Sequence, residues 1–538
     1  MKPIYIFLFC LTCILTIINQ CISGPINTDM VQWTQPNGVT TFMAKMWGDE
    51  FAIWMETQDG YRIVKSADGW YYYATLNANG DYIPTTLKVG IDSPPPPGSY
   101  KLNRSLSYMN SIEQLRQAAK ANYRAAGQWF AQKQAAANGQ PVVLRLAVIF
   151  VEFADVKHYN PNIPPRVGGY LKSDFDSLMF SANYWIGPQG NQKHPEGDEI
   201  FGSMRDYYYQ MSRGKLILTG EFINPIESNG VPRWLVLDHE KSFYDNWSEV
   251  LRDEAVLKLV DSNQINPNWK SLSGYNRYIY IFAGNDQHYY THAGFDATYI
   301  QVSERTGKIR IRSENEAFAH VGVSSHEFGH VIGFEDEYTG GDITTYGYSS
   351  GEYDLMAYGI YNGPKLKGEC PSVLAPFHRI SKQWITTIPI TRDTSNFIVR
   401  YNYSNPIIYK ITPYESNPIA NEHYIFETRL RDGFDKYTPN APTNFQNQTG
   451  IMLIWHHNIA YPNTWAWDSV RFVYADNNKG VGYDGGNILL TDFFPNNSGT
   501  NNQSYNDITT PHDQLGFYDP NTGGTAEKPA HFCIKWNT

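Results

Sequence analysis

The stretch SSHEFGHVIGFEDEY, residues 324–338, sets two histidines four positions apart, a glutamate directly after the first, a glycine three after the second, and then three acids in a row. On a helix, His326 and His330 stand one turn apart on the same face, so both imidazoles reach a single ion. Two histidines, a carboxylate and an open fourth position make a standard catalytic zinc set, in which a neighbouring glutamate works as general base. Glu327 is therefore read as the base and not as a ligand. Gly333 suits the left-handed conformation that ends a helix and turns the chain back. Asp336 then returns beneath the ion as third ligand, while Glu335 and Glu337 alternate away from it in an extended segment. The rival reading is a loop of solvated acids with the third ligand supplied from far downstream.

Outward from this stretch the pattern changes several times along the 538 residues, a length that points to two or three domains. Residues 1–23 read as a secretory signal peptide, with Lys2, an apolar run from Ile4 to Ile18, and small residues at Ser23 and Gly24. That run is shorter than the roughly 20 residues of a spanning helix, which speaks against a retained anchor. No membrane association is expected once the leader is gone, and the product should be secreted. Residues 24–97 are a β-rich region whose turn signals Asp59-Gly60, Asp68-Gly69 and Asn79-Gly80 mark hairpins. SPPPPGSY, residues 93–100, is a stiff spacer. Residues 98–140, rich in Ala and Gln, read as an exposed helical connector within reach of a protease.

At Val142 a nearly continuous β-branched run begins, as in a strand buried on both faces, and it opens an α/β catalytic segment, residues 141–390. Helices are expected around Ser203–Met211 and Glu249–Val260, with a strand at Tyr278–Gly284. Residues 391–538 read as short strands in Asn- and Gly-rich loops, a β-rich C-terminal part. Aromatic residues make up 15% and charged residues 18%, and the net charge of −10 comes without basic patches, which disfavours a nucleic-acid partner. Only Cys370 and Cys533 lie beyond the leader, so one disulfide is open to them in an oxidising compartment.

The motif H-E-x-x-H-x-x-G-x-x-D resembles that of the metzincin zinc peptidases, and HEFGHVIGFEDEY is similar to the active-site helix and turn of the secreted immune inhibitor A-like family. The resemblance extends to AVIFVEFADV, FGSMRDYYYQMSRGKLILTGE, NEHYIFETR and GIMLIWHHN, and more weakly to WGDEFAIWMETQDGY. It implies an α+β fold with a methionine-containing turn beneath the zinc, for which DLMAYGIYNG, residues 354–363, supplies Met356 as a packing floor. It also implies that Tyr358 stabilises the oxyanion by hydrogen bonding, with a packing role as the rival in a chain of 39 tyrosines. Calcium is expected only at family level, since clusters such as YADNN lack EF-hand spacing. His378 reads as a core histidine, and the doublet His456-His457 points to opposite faces of a strand.

These readings converge on a secreted zinc endopeptidase, made as a precursor and expected to act as a monomer. Protein or peptide substrates would pair with an edge strand near HAGFDATYIQV, residues 292–302. The region before Val142 reads as a pro-region. No cysteine lies between Gly24 and Glu369, so a pro-region thiolate does not cap the metal, and an acid such as Asp49 is left as the alternative cap. Two rival functions stand beside this one: a catalytically silent, adhesin-like binding module with a structural zinc, and a peptidase that trims peptides rather than proteins.

Overall fold

The computed structural model describes residues 26–27, 30–49, 51–66, 68–96, 102–158, 170–184, 198–244, 248–265, 268–283, 292–293, 297–302, 320–337, 350–365, 368–391, 408–412, 423–438, 449–456, 470–473, 504–505, 515–519, 524–528 and 534–535. It is a mixed α+β structure. Strands β1 (Ile26–Asn27), β2 (Val31–Thr34), β3 (Thr41–Gly48), β4 (Ile53–Thr57), β5 (Arg62–Lys65), β6 (Tyr71–Leu76) and β7 (Tyr82–Lys88) make one antiparallel sheet. Its hairpins turn at Gly60, Gly69 and Gly80, whose φ values of 87°, 83° and 87° are open to glycine at no steric cost. Trp33, Phe42, Met46, Tyr71 and Tyr73 fill its core.

Helix α1 (Leu106–Ala136) follows, capped by the Ser105 side chain, which accepts from the Tyr108 amide. The expectation of an exposed connector is corrected here, because Tyr108, Ile112, Arg116, Tyr123, Ala126 and Phe130 are buried along one side. That side escapes a hydrophobicity pattern because it carries an arginine and an alanine among its large residues. Burial of Arg116 is made affordable by its ion pair with Asp49, a residue only 1% exposed. Asp49 also accepts from the amides of Phe51 and Ala52, so its carboxylate is engaged by its own turn and by α1.

Strand β8 (Val142–Glu152) is the centre of the second sheet, as its continuous apolar run requires. Leu144, Leu146, Val148 and Phe150 point to one core, and Ala147, Ile149 and Val151 to another. Helices α2 (Lys172–Phe180) and α3 (Met204–Met211) cover the first face. Strands β9 (Leu216–Phe222) and β10 (Leu235–Val236) pair parallel to β8. After the short α4 (Lys241–Tyr244), helix α5 (Ser248–Ile265) covers the other face through Leu251, Ala255 and Leu259. Strand β11 (Arg277–Ala283) pairs parallel to β8 and to β13 (Ala297–Val302), and the two-residue β12 (His292–Ala293) runs antiparallel to β13 at the edge.

Helix α6 (Val321–Val331) lies within the first core with every residue buried. Helix α7 (Pro376–Ser381) leads into β14 (Thr387–Ile390), which with β15 (Ile408–Ile411), β16 (His423–Leu430), β17 (Thr449–His456) and β18 (Val470–Val473) forms a third sheet. Two further pairs join β19 (Ser504–Tyr505) to β22 (Ile534–Lys535) and β20 (Leu515–Asp519) to β21 (Gly524–Lys528). Among the described residues no helix is long and apolar enough to cross a membrane. The leader, the YADNN cluster, His457 and Cys533 lie outside the described residues. Cys370 is buried, its thiol donating to the carbonyls of Gly433 and Phe434 at 3.4 and 3.5 Å.

Candidate metal centre

Every side of α6 is packed, which is why SSHEFGHV is apolar and small around the helix apart from the residues with chemistry. Gly329 leaves room for the turn below it, since a Cβ there would meet Met356 Sδ at 2.8 Å. The helix ends at Gly333, with φ of 88°, and the Phe334 amide returns to the Gly329 carbonyl at 3.0 Å. This turn swings the Phe334 carbonyl back to His330 Nδ1, 2.8 Å away. His326 Nδ1 lies 2.9 Å from the Leu355 carbonyl. A carbonyl only accepts, so each Nδ1 carries the ring proton and each Nε2 presents a lone pair.

Those two lone pairs and one carboxylate oxygen converge. His326 Nε2 and His330 Nε2 are 3.3 Å apart, and Asp336 Oδ1 stands 3.3 and 3.2 Å from them. With zinc bonds of about 2.0–2.1 Å, two ligands of a tetrahedral ion stand about 3.3–3.4 Å apart, so the triangle has the edge length of such a site. Three acceptors this close repel one another unless a cation or a proton lies between them. Asp336 Oδ1 is sealed from solvent without a hydrogen-bond partner, which is the condition of a ligand atom. Burial opposes charging of His330, yet the Asp336 carboxylate outweighs it and lifts the imidazole to about 9. Burial would likewise raise Asp336, but His330 and His326 hold it far below the usual carboxylate range. Both shifts report the same local demand for positive charge. Among the described residues this is the one cluster of three or more His, Cys, Asp or Glu able to converge on an ion.

The three consecutive acids separate as an extended segment requires. Asp336 faces the histidines, Glu335 turns out to Arg124 at 3.0 Å and Lys120 at 3.6 Å, and Glu337 turns to the opposite interior. There burial, reinforced by Asp354, pushes the Glu337 carboxyl well above its ordinary range. Asp354 opens the turn below the helix and lies 3.1 Å from His378 Nε2, while accepting from the Ala375 amide at 3.0 Å. Burial works against the Asp354 charge, and His378 with the Ala375 and Met356 amides overrides it and keeps the pKa low. His378 is thus a core histidine, as its sequence context implied. Met356, fully buried, lies under Gly329, and its carbonyl accepts from the Glu337 amide at 2.8 Å. Arg429 of β16 ties the third sheet to this floor, donating to the Tyr353 carbonyl at 3.1 Å, to Ser372 Oγ at 3.1 Å and to Asp435.

Of the residues singled out in the sequence, His326, His330 and Asp336 come together, and Glu327, 2% exposed, sits between the two histidines on α6. Tyr358 begins a short turn of 3-10 helix, Tyr358–Tyr361, and packs with Ala357. The carbonyls of Leu355 and Phe334 have no sequence signature, because any residue carries one. Tyr123 was also missed, and its ring stacks on His330 with centroids 4.1 Å apart and planes within 13°. Gly127, a glycine inside an Ala-rich helix, was the available hint of a close backbone approach there. No family model matches the chain, and no characterised protein matches it by sequence.

Proposed function

We propose that this chain is an exported zinc endopeptidase of metzincin-like architecture, made as a precursor and similar to the immune inhibitor A-like family. The observation that carries the reading is the convergence of His326 Nε2, His330 Nε2 and Asp336 Oδ1 at mutual distances of 3.2–3.3 Å, with Glu327 between the two histidines on the same helix. His326, His330 and Asp336 would hold the zinc, which would supply a Lewis acid able to lower the pKa of water and polarise a peptide carbonyl. Glu327 takes the proton of the attacking water and delivers it to the leaving amine. A purely structural site has no use for such a base. Tyr358 donates to the developing oxyanion, and Met356 supports the ligand helix from below. The substrate lies along the β12 edge by backbone pairing, antiparallel or parallel to it. With Glu327 only 2% exposed in the whole chain, entry of a polypeptide requires part of the chain to move or to be removed, which manufacture as a precursor provides.

The test is casein hydrolysis by the matured protein beside Glu327→Ala, with zinc content determined on both. Activity in the parent alone, with about one zinc in each, supports the reading, and the loss expected from removing a general base is about 100- to 10,000-fold. Zinc in both and hydrolysis in neither replaces it with the binding module. Hydrolysis of short fluorogenic peptides with casein left intact replaces it with the peptide-trimming enzyme.

A further inference from the structure

Helix α1 divides into two halves that hold different things. Its first half grips the N-terminal sheet, through Tyr108 and Ile112 against Ala52 and Trp54 and through Arg116 to Asp49. Its second half grips the metal centre. Lys120 and Arg124 reach Glu335, the neighbour of the third ligand. Tyr123, 7% exposed, lies flat on the His330 imidazole. Gly127 approaches the helix-ending turn so closely that a Cβ on Gly333 would stand 2.3 Å from its Cα. Further along, Phe130 meets Trp384 edge-on with centroids 6.3 Å apart, and Gln134 donates to the Lys382 carbonyl at 2.7 Å.

We infer that the second half of α1, from Lys120 to Ala136, is a permanent part of the metal centre and stays with the mature enzyme, with Tyr123 as a positioning residue for His330. The inference rests on the zinc-peptidase reading and concerns where the removable region ends. His330 is held at its two nitrogens, by the Phe334 carbonyl at Nδ1 and beside Asp336 at Nε2, and neither contact covers the face of the ring. The Tyr123 ring covers that face and holds the imidazole plane against tilting. Any processing cut therefore falls at or before Lys120, and the sheet before it is the part that leaves.

Intact mass and N-terminal sequencing of the secreted, matured protein test the boundary. Zinc affinity by competition with a chromophoric chelator, measured on the full chain and on Tyr123→Ala and Tyr123→Phe, tests the positioning. The mature N-terminus is expected at or before residue 120. Tyr123→Ala should hold zinc about two- to tenfold more weakly, the range of an aromatic stack, and Tyr123→Phe should match the parent. An active, zinc-loaded enzyme that begins after Ala136 and has lost the helix overturns the inference. So does a folded Tyr123→Ala with the parent's zinc affinity. If that variant does not fold, the N-terminus and Tyr123→Phe decide, and a weakened Tyr123→Phe refutes the stacking role. A parent that binds no zinc refutes the peptidase reading and this inference together, whereas a zinc-binding, active parent with the other results refutes the inference alone.

Discussion

Replacing Gly333 by alanine adds one methyl group at the turn on which both Asp336 and helix α1 depend. The substitution meets two penalties. Gly333 has φ of 88°, and a side chain in that region costs about 1–2 kcal/mol. The new Cβ would also lie 2.3 Å from the Cα and N of Gly127 and 2.7 Å from the Tyr123 carbonyl oxygen. These are backbone atoms, so no rotamer change relieves the clash, and α1 has to shift at an overpacking cost of about 1–3 kcal/mol. Gly139 isolates the second penalty, because it has φ of 82° and a Cβ there would meet nothing within 4 Å. Gly139→Ala should therefore cost only the conformational part. Guanidinium unfolding of the full chain, run on parent and both variants, should place Gly333→Ala about 1–3 kcal/mol below Gly139→Ala. Zinc retention should fall for Gly333→Ala alone, since Phe334 and Asp336 both follow the turn. Equal destabilisation of the two variants, with zinc retained in both, would show that α1 does not bear on this turn and would refute the reasoning.

Two further outcomes are expected. Asp336→Asn should weaken zinc binding by more than about 100-fold, whereas Glu335→Gln, which loses only partly exposed pairs to Lys120 and Arg124, should keep the zinc and cost at most about 1 kcal/mol; isothermal zinc titration of both separates the two acids, and equal losses would contradict the alternation. Lys382 donates to the Gly333 carbonyl at 3.2 Å, and burial lowers its pKa from 10.5 to about 8. Between those values the unfolded chain binds more protons than the folded one, so this lysine makes stability rise with pH across the window, by at most about 3 kcal/mol. Unfolding free energies at pH 7.5 and 10 should show the parent gaining on Lys382→Met, and a gap that does not change with pH would count against a buried charge at this position.

How far the site was legible follows from which of its parts are local. The convergent side chains His326, His330 and Asp336 fall within eleven residues, on a helix and the turn that ends it, so spacing alone locates them. The same holds for β8, whose two buried faces require an unbroken apolar run, and for the hairpins, whose turns require glycine. The docking of α1 was not legible, because a face built from Tyr, Ile, Arg, Ala and Phe at uneven density has little apolar periodicity. Its burial depends on what it meets: Asp49 for Arg116, His330 for Tyr123, the bare backbone of Gly333 for Gly127.

By itself the amino-acid sequence determined the α+β character, the identity of the convergent side chains and the choice among three adjacent acids, all consequences of helical and extended periodicity acting over short range. Tertiary structure alone decided the tautomers of the histidines, through carbonyls at Leu355 and Phe334, and the engagement of Asp49 away from the centre. It also decided that a helix more than 180 residues upstream of His326 becomes a wall of the site. Backbone carbonyls carry no residue signature, and a buried ion pair or ring stack exists only when two distant segments meet, so no window along the chain contains either fact.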